Sequence, residues 1–212
     1  MTIRASFRTK LALAFLSLSI ATAAVVLHFA WKRAREAQLE GLRSMLEAVT
    51  GAVAPEIDGD EHLALAKLSP AEVLKDPRHR ALVALGRRVR AAHARFKEVF
   101  TIAFDESSKR DHGRLVLTAQ DKDIGKDYDM GRFPAMGRAR ACPCADDDVC
   151  ADEFGLTLSG YAPIRNHAGA TVGLLGVDVD GSTVEAMRGQ LLAILALGAA
   201  GAVLLEIGRA HV

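Results

Sequence analysis

The chain has 212 residues, half of them hydrophobic, with 27 basic residues against 26 acidic ones and a formal net charge of +1. A balance this even gives no basic surplus for a nucleic-acid partner. The length suits one domain of ordinary size plus membrane segments, and the apolar residues collect at the two ends of the chain.

The first concentration is LALAFLSLSIATAAVVLHFAW, residues 11–31, with His28 as its only ionisable side chain. About twenty apolar residues are what a helix needs to cross a bilayer core. Arg4, Arg8 and Lys10 precede the run and Trp31 closes it, as basic flanks and interfacial aromatics do. Residues 1–10 are expected in the cytoplasm and 11–31 as a transmembrane helix. Ala21-Thr22-Ala23 also resembles a signal-peptide cleavage site, but Val25, Val26 and Leu27 carry the apolar run past it.

Residues 32–189 follow. Leu39, Leu42, Leu46, Val49 and Val53 step by three and four, which predicts an amphipathic helix over 36–53 ending at Pro55. The spacing suits a dimer seam or a packing stripe on the chain's own domain. The acids of Asp58-Gly59-Asp60-Glu61-His62 suit the positive end of a helix. Ser69-Pro70 and Asp76-Pro77 open two more helices. The latter is expected to place Leu82, Leu85, Val89, Ala92 and Phe96 on one face, with Arg87, Arg88, Arg90, Arg95 and Lys97 on a solvated one.

The period then changes to two. EVFTIAFD and RLVLTAQ, joined by ESSKRDHG, read as antiparallel strands. GLTLSGYAPIRN and ATVGLLGVDVD, joined by HAG, read as a hairpin. Ser182 and Glu185 have the capping-box spacing and open a helix leading into the second apolar run. The order predicts an α+β domain with a small antiparallel sheet.

The second apolar run, residues 190–205, is too short to span a bilayer. It is expected as a truncated transmembrane helix. The tail 206–212, EIGRAHV, matches the translation of a common sequencing-adapter sequence, which makes the chain a fragment whose output domain is missing. A natural short C-terminus is the alternative.

DEFGLTLSGYAPIRNHAGATVGLLGVDVD resembles the closing hairpin of Cache-type, PAS-like extracytoplasmic sensor domains, with EIDGDEHLAL and DIGKDYDM in matching order. The resemblance covers 31–190. It implies a small-molecule sensor between two membrane helices of a bacterial receptor: a histidine kinase, a nucleotide or diguanylate cyclase, or a chemoreceptor. It also implies the inner membrane as location, with the sensor domain outside the cytoplasm. Relatives often carry Tyr-Thr where this chain has Phe100-Thr101, which removes one hydroxyl.

A ligand pocket on the sheet's polar face would use Thr157, Ser159 and Tyr161, which share a strand face by parity, with Asp178 on the last strand and Tyr128 and Arg132 in a covering loop. Cys142, Cys144 and Cys150 sit in one loop, CPCADDDVC, open to a Cys142–Cys150 disulfide, a metal site or a redox thiol. No phosphate loop, nucleophile elbow or EF-hand spacing is present, so no cofactor or catalytic residue is expected. A structural membrane protein without ligand and an anchored hydrolase are the competing readings.

Overall fold

A computed structural model describes residues 7–104, 111–118, 121–152, 155–182 and the single positions 184, 189 and 193, with the side chains of 8, 9, 12, 13, 16 and 152 not included. The expected second span, the tail and Glu185 lie outside the described residues. The chain divides into two units, Met1–Gln38 with Ala186–Val212, and Leu39–Glu185. The second is the mixed helix-and-sheet domain.

Helix α1 spans Phe7–Val53, followed by a single 3-10 turn at Ala54–Glu56 that holds Pro55. Among the described residues no helix is long and apolar enough to cross a membrane. The start of α1 nevertheless exposes Phe15, Leu18, Val26 and Phe29, each more than 60% accessible. The expected seam on 36–53 belongs to the protein's own core. Leu42 and Leu46 are buried, and Leu39, Val49 and Val53 pack against the same cluster.

Helix α2 covers Gly59–Ala66 and α3 Pro70–Val73. The Asp58 carboxylate accepts from the amides of Asp60 and Glu61 and caps α2. The segment opened by Ser69-Pro70 is only this one turn, held by a Ser69–Glu72 capping box. Helix α4 is Pro77–Ala92, capped by Asp76. It stops before Phe96, against the sequence expectation, because His93 turns extended at φ −148°. Phe96 instead opens strand β1 and reaches the same core as Leu82 and Val89.

The strands are β1 Phe96–Ala103, β2 His112–Leu117, β3 Asp127–Asp129, β4 Cys144–Ala145, β5 Cys150–Asp152, β6 Gly155–Arg165 and β7 Thr171–Asp180. They form one seven-stranded antiparallel sheet in the order β3-β2-β1-β7-β6-β4, with β5 also on β6. The β6–β7 hairpin turns at residues 166–170, where Gly169 has φ +80°. The Asn166 side chain accepts from the Ala170 amide there.

Strand parity divides the core. Leu158, Ala162, Ile164, Leu175, Val177 and Val179 face the helices. Phe100, Ile102, Tyr161 and Leu174 face the other way, toward residues 128–139, which include helix α5, Pro134–Arg138. On the helix face His62 is buried, with Nε2 bonded to Thr101 Oγ1 at 2.9 Å. Burial holds its pKa down to about 4, so it is a neutral packing residue.

Helix α1 lies close against the sheet at Gly160, where an added Cβ would stand 2.6 Å from Leu46 Cβ and 3.1 Å from Leu46 backbone carbon. Gly160→Ala should therefore cost on the order of 2 kcal/mol through overpacking. Gly41→Ala, with nothing within 4 Å of the new carbon, should be neutral or stabilising. Chemical denaturation of both variants checks this; equal, small effects would mean that α1 does not press on the sheet.

Candidate functional site

The cavity on the second face is built from three walls. Its floor is Phe100 from β1, Thr157, Ser159 and Tyr161 from β6, and Asp178 from β7. Glu98, Leu115 and Thr118 close one side. Tyr128, Phe133 and Met136 roof it. The period-two reading of β6 and β7 thus grouped Thr157, Ser159, Tyr161 and Asp178 around one space, and Tyr128, expected in a covering loop, lines it too. Arg132 does not line it; its guanidinium carbon lies 5.7 Å from the Phe133 ring centroid. The reason is local: Met130–Arg132 is a 3-10 turn that buries Met130 and leaves Arg132 exposed.

The roof is held by aromatic contact and backbone bonds. Tyr128 and Phe133 stack with centroids 6.1 Å apart. The Met130 amide donates to Asp111 O at 2.7 Å, and the Asp129 carboxylate accepts from the Gly131 amide. On the floor, Phe100 meets Tyr161 edge-on at 6.4 Å. Phe100 stands opposite Gly176, whose missing side chain leaves room for the ring. The enclosed space is about 20 Å³, room for about one water molecule.

A polar row crosses the floor. Glu98 is paired with Asp178, and Asp178 with Ser159. Beyond Ser159 lies Asp146, whose Oδ2 accepts from the Ser159 amide and from the Tyr161 hydroxyl, both at 3.2 Å. Asp146 is buried, and burial lifts its carboxyl to about 6. Burial, then the neighbouring Asp146 charge, pushes the Tyr161 hydroxyl well above its ordinary value, so it acts as a neutral donor. Sequence reasoning missed Asp146, Glu98 and Thr118. Asp146 was hidden in the acidic run Asp146-Asp147-Asp148, and Glu98 precedes the regular alternation of β1.

None of the three cysteines is in a disulfide. Cys144 stands opposite Tyr161 and Cys150 opposite Thr157, four residues apart along β6. That is ~13 Å at about 3.3 Å per residue, beyond the reach of a disulfide. Cys142 precedes β4 and has no place in this register; the expected Cys142–Cys150 bridge is not formed. The Cys144 thiol donates to Ala135 O at 3.0 Å, and burial raises its pKa, which disfavours the thiolate that metal binding or redox chemistry requires. His62, Asp60 and Glu61 do not converge; Asp60 instead pairs on the surface with His167.

No protein-family model and no curated protein matches the chain. Among solved structures it is similar to the sensor domain of DcuS from E. coli, at 14% identity and TM-score 0.50, over 72% of this chain and 97% of that one. The ligand-binding domain of the Campylobacter jejuni chemoreceptor Tlp3, solved with L-valine, is a more distant match at 13% identity and TM-score 0.46, over 84% of this chain and 66% of that one. The DcuS match shows that the chain has the fold of that domain, in line with the PAS-like resemblance of the closing hairpin.

Asp146 and His62 oppose each other in acid. Asp146, with its pKa raised from 3.8, lends stability in full below about pH 3.8 and loses it as pH rises through about 6. His62, with its pKa lowered from 6.5, lends stability in full above about pH 6.5 and loses it as pH falls through about 4. Each amounts to on the order of 3 kcal/mol. Asp146→Asn keeps an acceptor oxygen and removes the first effect. The variant should be more stable than the parent at pH 7 and fall more steeply between pH 6.5 and 4. Denaturant midpoints across that range check it; parallel curves for parent and variant would contradict the assignment.

Proposed function

We propose that this chain is the ligand-sensing input module of a bacterial transmembrane receptor, with 32–189 outside the cytoplasmic membrane and 11–31 and 190–205 as its anchors. The observation that carries the sensing role is the polar-floored, aromatic-roofed cavity on the face of a sensor-type sheet opposite the helices. Hydroxyls from Thr157, Ser159 and Tyr161 and the carboxylate of Asp178 converge there among Phe100, Tyr128 and Phe133, the mix of apolar wall and few placed polar groups typical of small-molecule sites. The membrane role draws on the exposed apolar side chains of early α1. A band of this kind needs a nonaqueous neighbour.

The ligand is a small molecule, because the space between roof and floor is small. Its effect is to favour one of two arrangements of the roof and the sheet. A ligand shifts such an equilibrium only by its difference in affinity for the two states, and a full switch requires about 5.5 kcal/mol. The output follows from whatever domain the receptor couples to this module, a kinase, a cyclase or a chemotaxis signalling domain.

Thermal unfolding of the full chain against a metabolite library of mixed charge tests the reading. A true ligand at a hundredfold excess over Kd adds about 2.7 kcal/mol, or roughly 5–10 °C for a domain of this size. The shift should vanish in Ser159→Leu, which fills the cavity. A reporter fused within residues 106–110 should behave as exported. No stabilising compound of any charge, or a reporter active in the cytoplasm, would overturn the sensor assignment.

A further inference from the structure

We infer that Asp147 is an ionic clip around the edge of the sheet, tying the cavity roof on one face to helix α1 on the other, so that each helps to hold the other in place. The clip is a property of the fold; only its use in relaying a ligand signal rests on the sensor reading.

The topology puts Asp147 between the two layers. Strands β4 and β5 both pair with β6 and form this edge of the sheet, and residues 146–149 connect them. Asp146 and Asp147 are neighbours in that connection with opposite tasks. Asp146 faces the sheet: its amide donates to Ser159 O at 2.9 Å, and its carboxylate accepts from the Ser159 amide and the Tyr161 hydroxyl. Asp147 faces out, with 70% of its side chain accessible, and takes two guanidiniums. Arg43 of α1 reaches its Oδ1 at 2.9 Å. Arg138 of α5 reaches the same oxygen at 3.1 Å and Oδ2 at 3.3 Å. Residues of α1 pack in the core of one sheet face and residues of α5 in that of the other.

Both arginines are held in readiness for this carboxylate. Glu40, one turn back on α1, pairs with Arg43 Nη1 at 3.2 Å. Arg43 Nε is buried without an acceptor among the described residues, so the polar hold on this side chain lies in its two Nη atoms. Arg138 Nη2 also donates to Ala145 O, two residues before Asp147. An exposed ion pair is weak by itself, because ordering two long side chains offsets the Coulomb gain. Here one carboxylate serves two arginines, so whichever arginine fixes it lowers the ordering cost for the other. Solvent around Asp147 screens the repulsion between the two guanidiniums. Arg43 thus strengthens the hold on Arg138 and α5, although among the described residues it has no hydrogen bond or ion pair of its own with α5. Met136, two residues before Arg138 on α5, roofs the cavity. A ligand that lifts α5 pulls Arg138 from Asp147 and loosens Arg43, which sits on the helix whose residues 11–31 are the proposed anchor. Coupling of this kind is reciprocal, so the effect of α1 on the roof measures the effect of the roof on α1.

The test is native-state hydrogen exchange of the detergent-solubilised full chain with no ligand added. The Met136 and Ala139 amides report on the roof, and the Leu174 and Val177 amides report on the sheet. Asp147→Asn should raise roof exchange about threefold to tenfold, and Arg43→Met, which keeps the apolar stem, about twofold to threefold. The β7 amides should stay at the parent rate in both. Arg43→Lys keeps a cation and should restore most of the protection. In about 1 M NaCl the gap between Asp147→Asn and the parent should shrink. Roof exchange unchanged in Arg43→Met, no recovery in Arg43→Lys, a gap indifferent to salt, or β7 amides rising by the same factor as the roof would overturn the inference. Because no ligand enters the experiment, its failure would leave the sensor reading to be judged by the metabolite library.

Discussion

The long pairing of β6 with β7 is the constraint on which the rest of the domain depends. Its register runs from Thr157 opposite Asp180 to Arg165 opposite Thr171. A slip of one residue would exchange every side chain between the two faces. Leu158, Val177 and Val179 would then meet the cavity, and Ser159, Tyr161 and Asp178 would be driven into the helical core. The tight turn at 166–170 sets that register, and β1 continues it by placing Glu98 and Phe100 beside Asp178 and Gly176.

The same pairing brings the cavity and helix α1 within one sheet thickness. Ser159 and Tyr161 point to the cavity, while Gly160 between them receives Leu46 from α1. Close-packed interiors transmit small displacements because they have little room to absorb them. A ligand that shifts the floor of the cavity thus acts on the strand against which residues 39–53 of α1 are packed. Gly160 and the buried Leu46 are where a change on one face becomes a change of packing on the other.

Much of this was legible in the sequence for a physical reason. The strands β6 and β7 are long enough for parity to assign each side chain to a face, so Thr157, Ser159, Tyr161 and Asp178 could be grouped without coordinates. Helix starts at Asp58, Ser69 and Asp76 were visible because capping is local chemistry. The edge strands β3, β4 and β5 were not visible, since two or three residues carry no period. Asp146 was lost for the same reason: its role comes from pairing with β6, not from its neighbours in the chain. Arg132 was misplaced because a single 3-10 turn decides which way it faces. The stripe on 36–53 could not reveal its partner, because a helix face reads alike whether it meets a second chain or its own sheet.

For a ligand to enter, the roof over the cavity must open while the sheet stays folded, since the present space admits only about one water. Native-state hydrogen exchange measures this directly. The amides of Phe133, Met136 and Ala139, bonded within the roof, should exchange through a local opening of much lower free energy than the β7 amides of Leu174 and Val177. Exchange of roof and β7 amides at one common free energy, equal to that of global unfolding, would contradict the account.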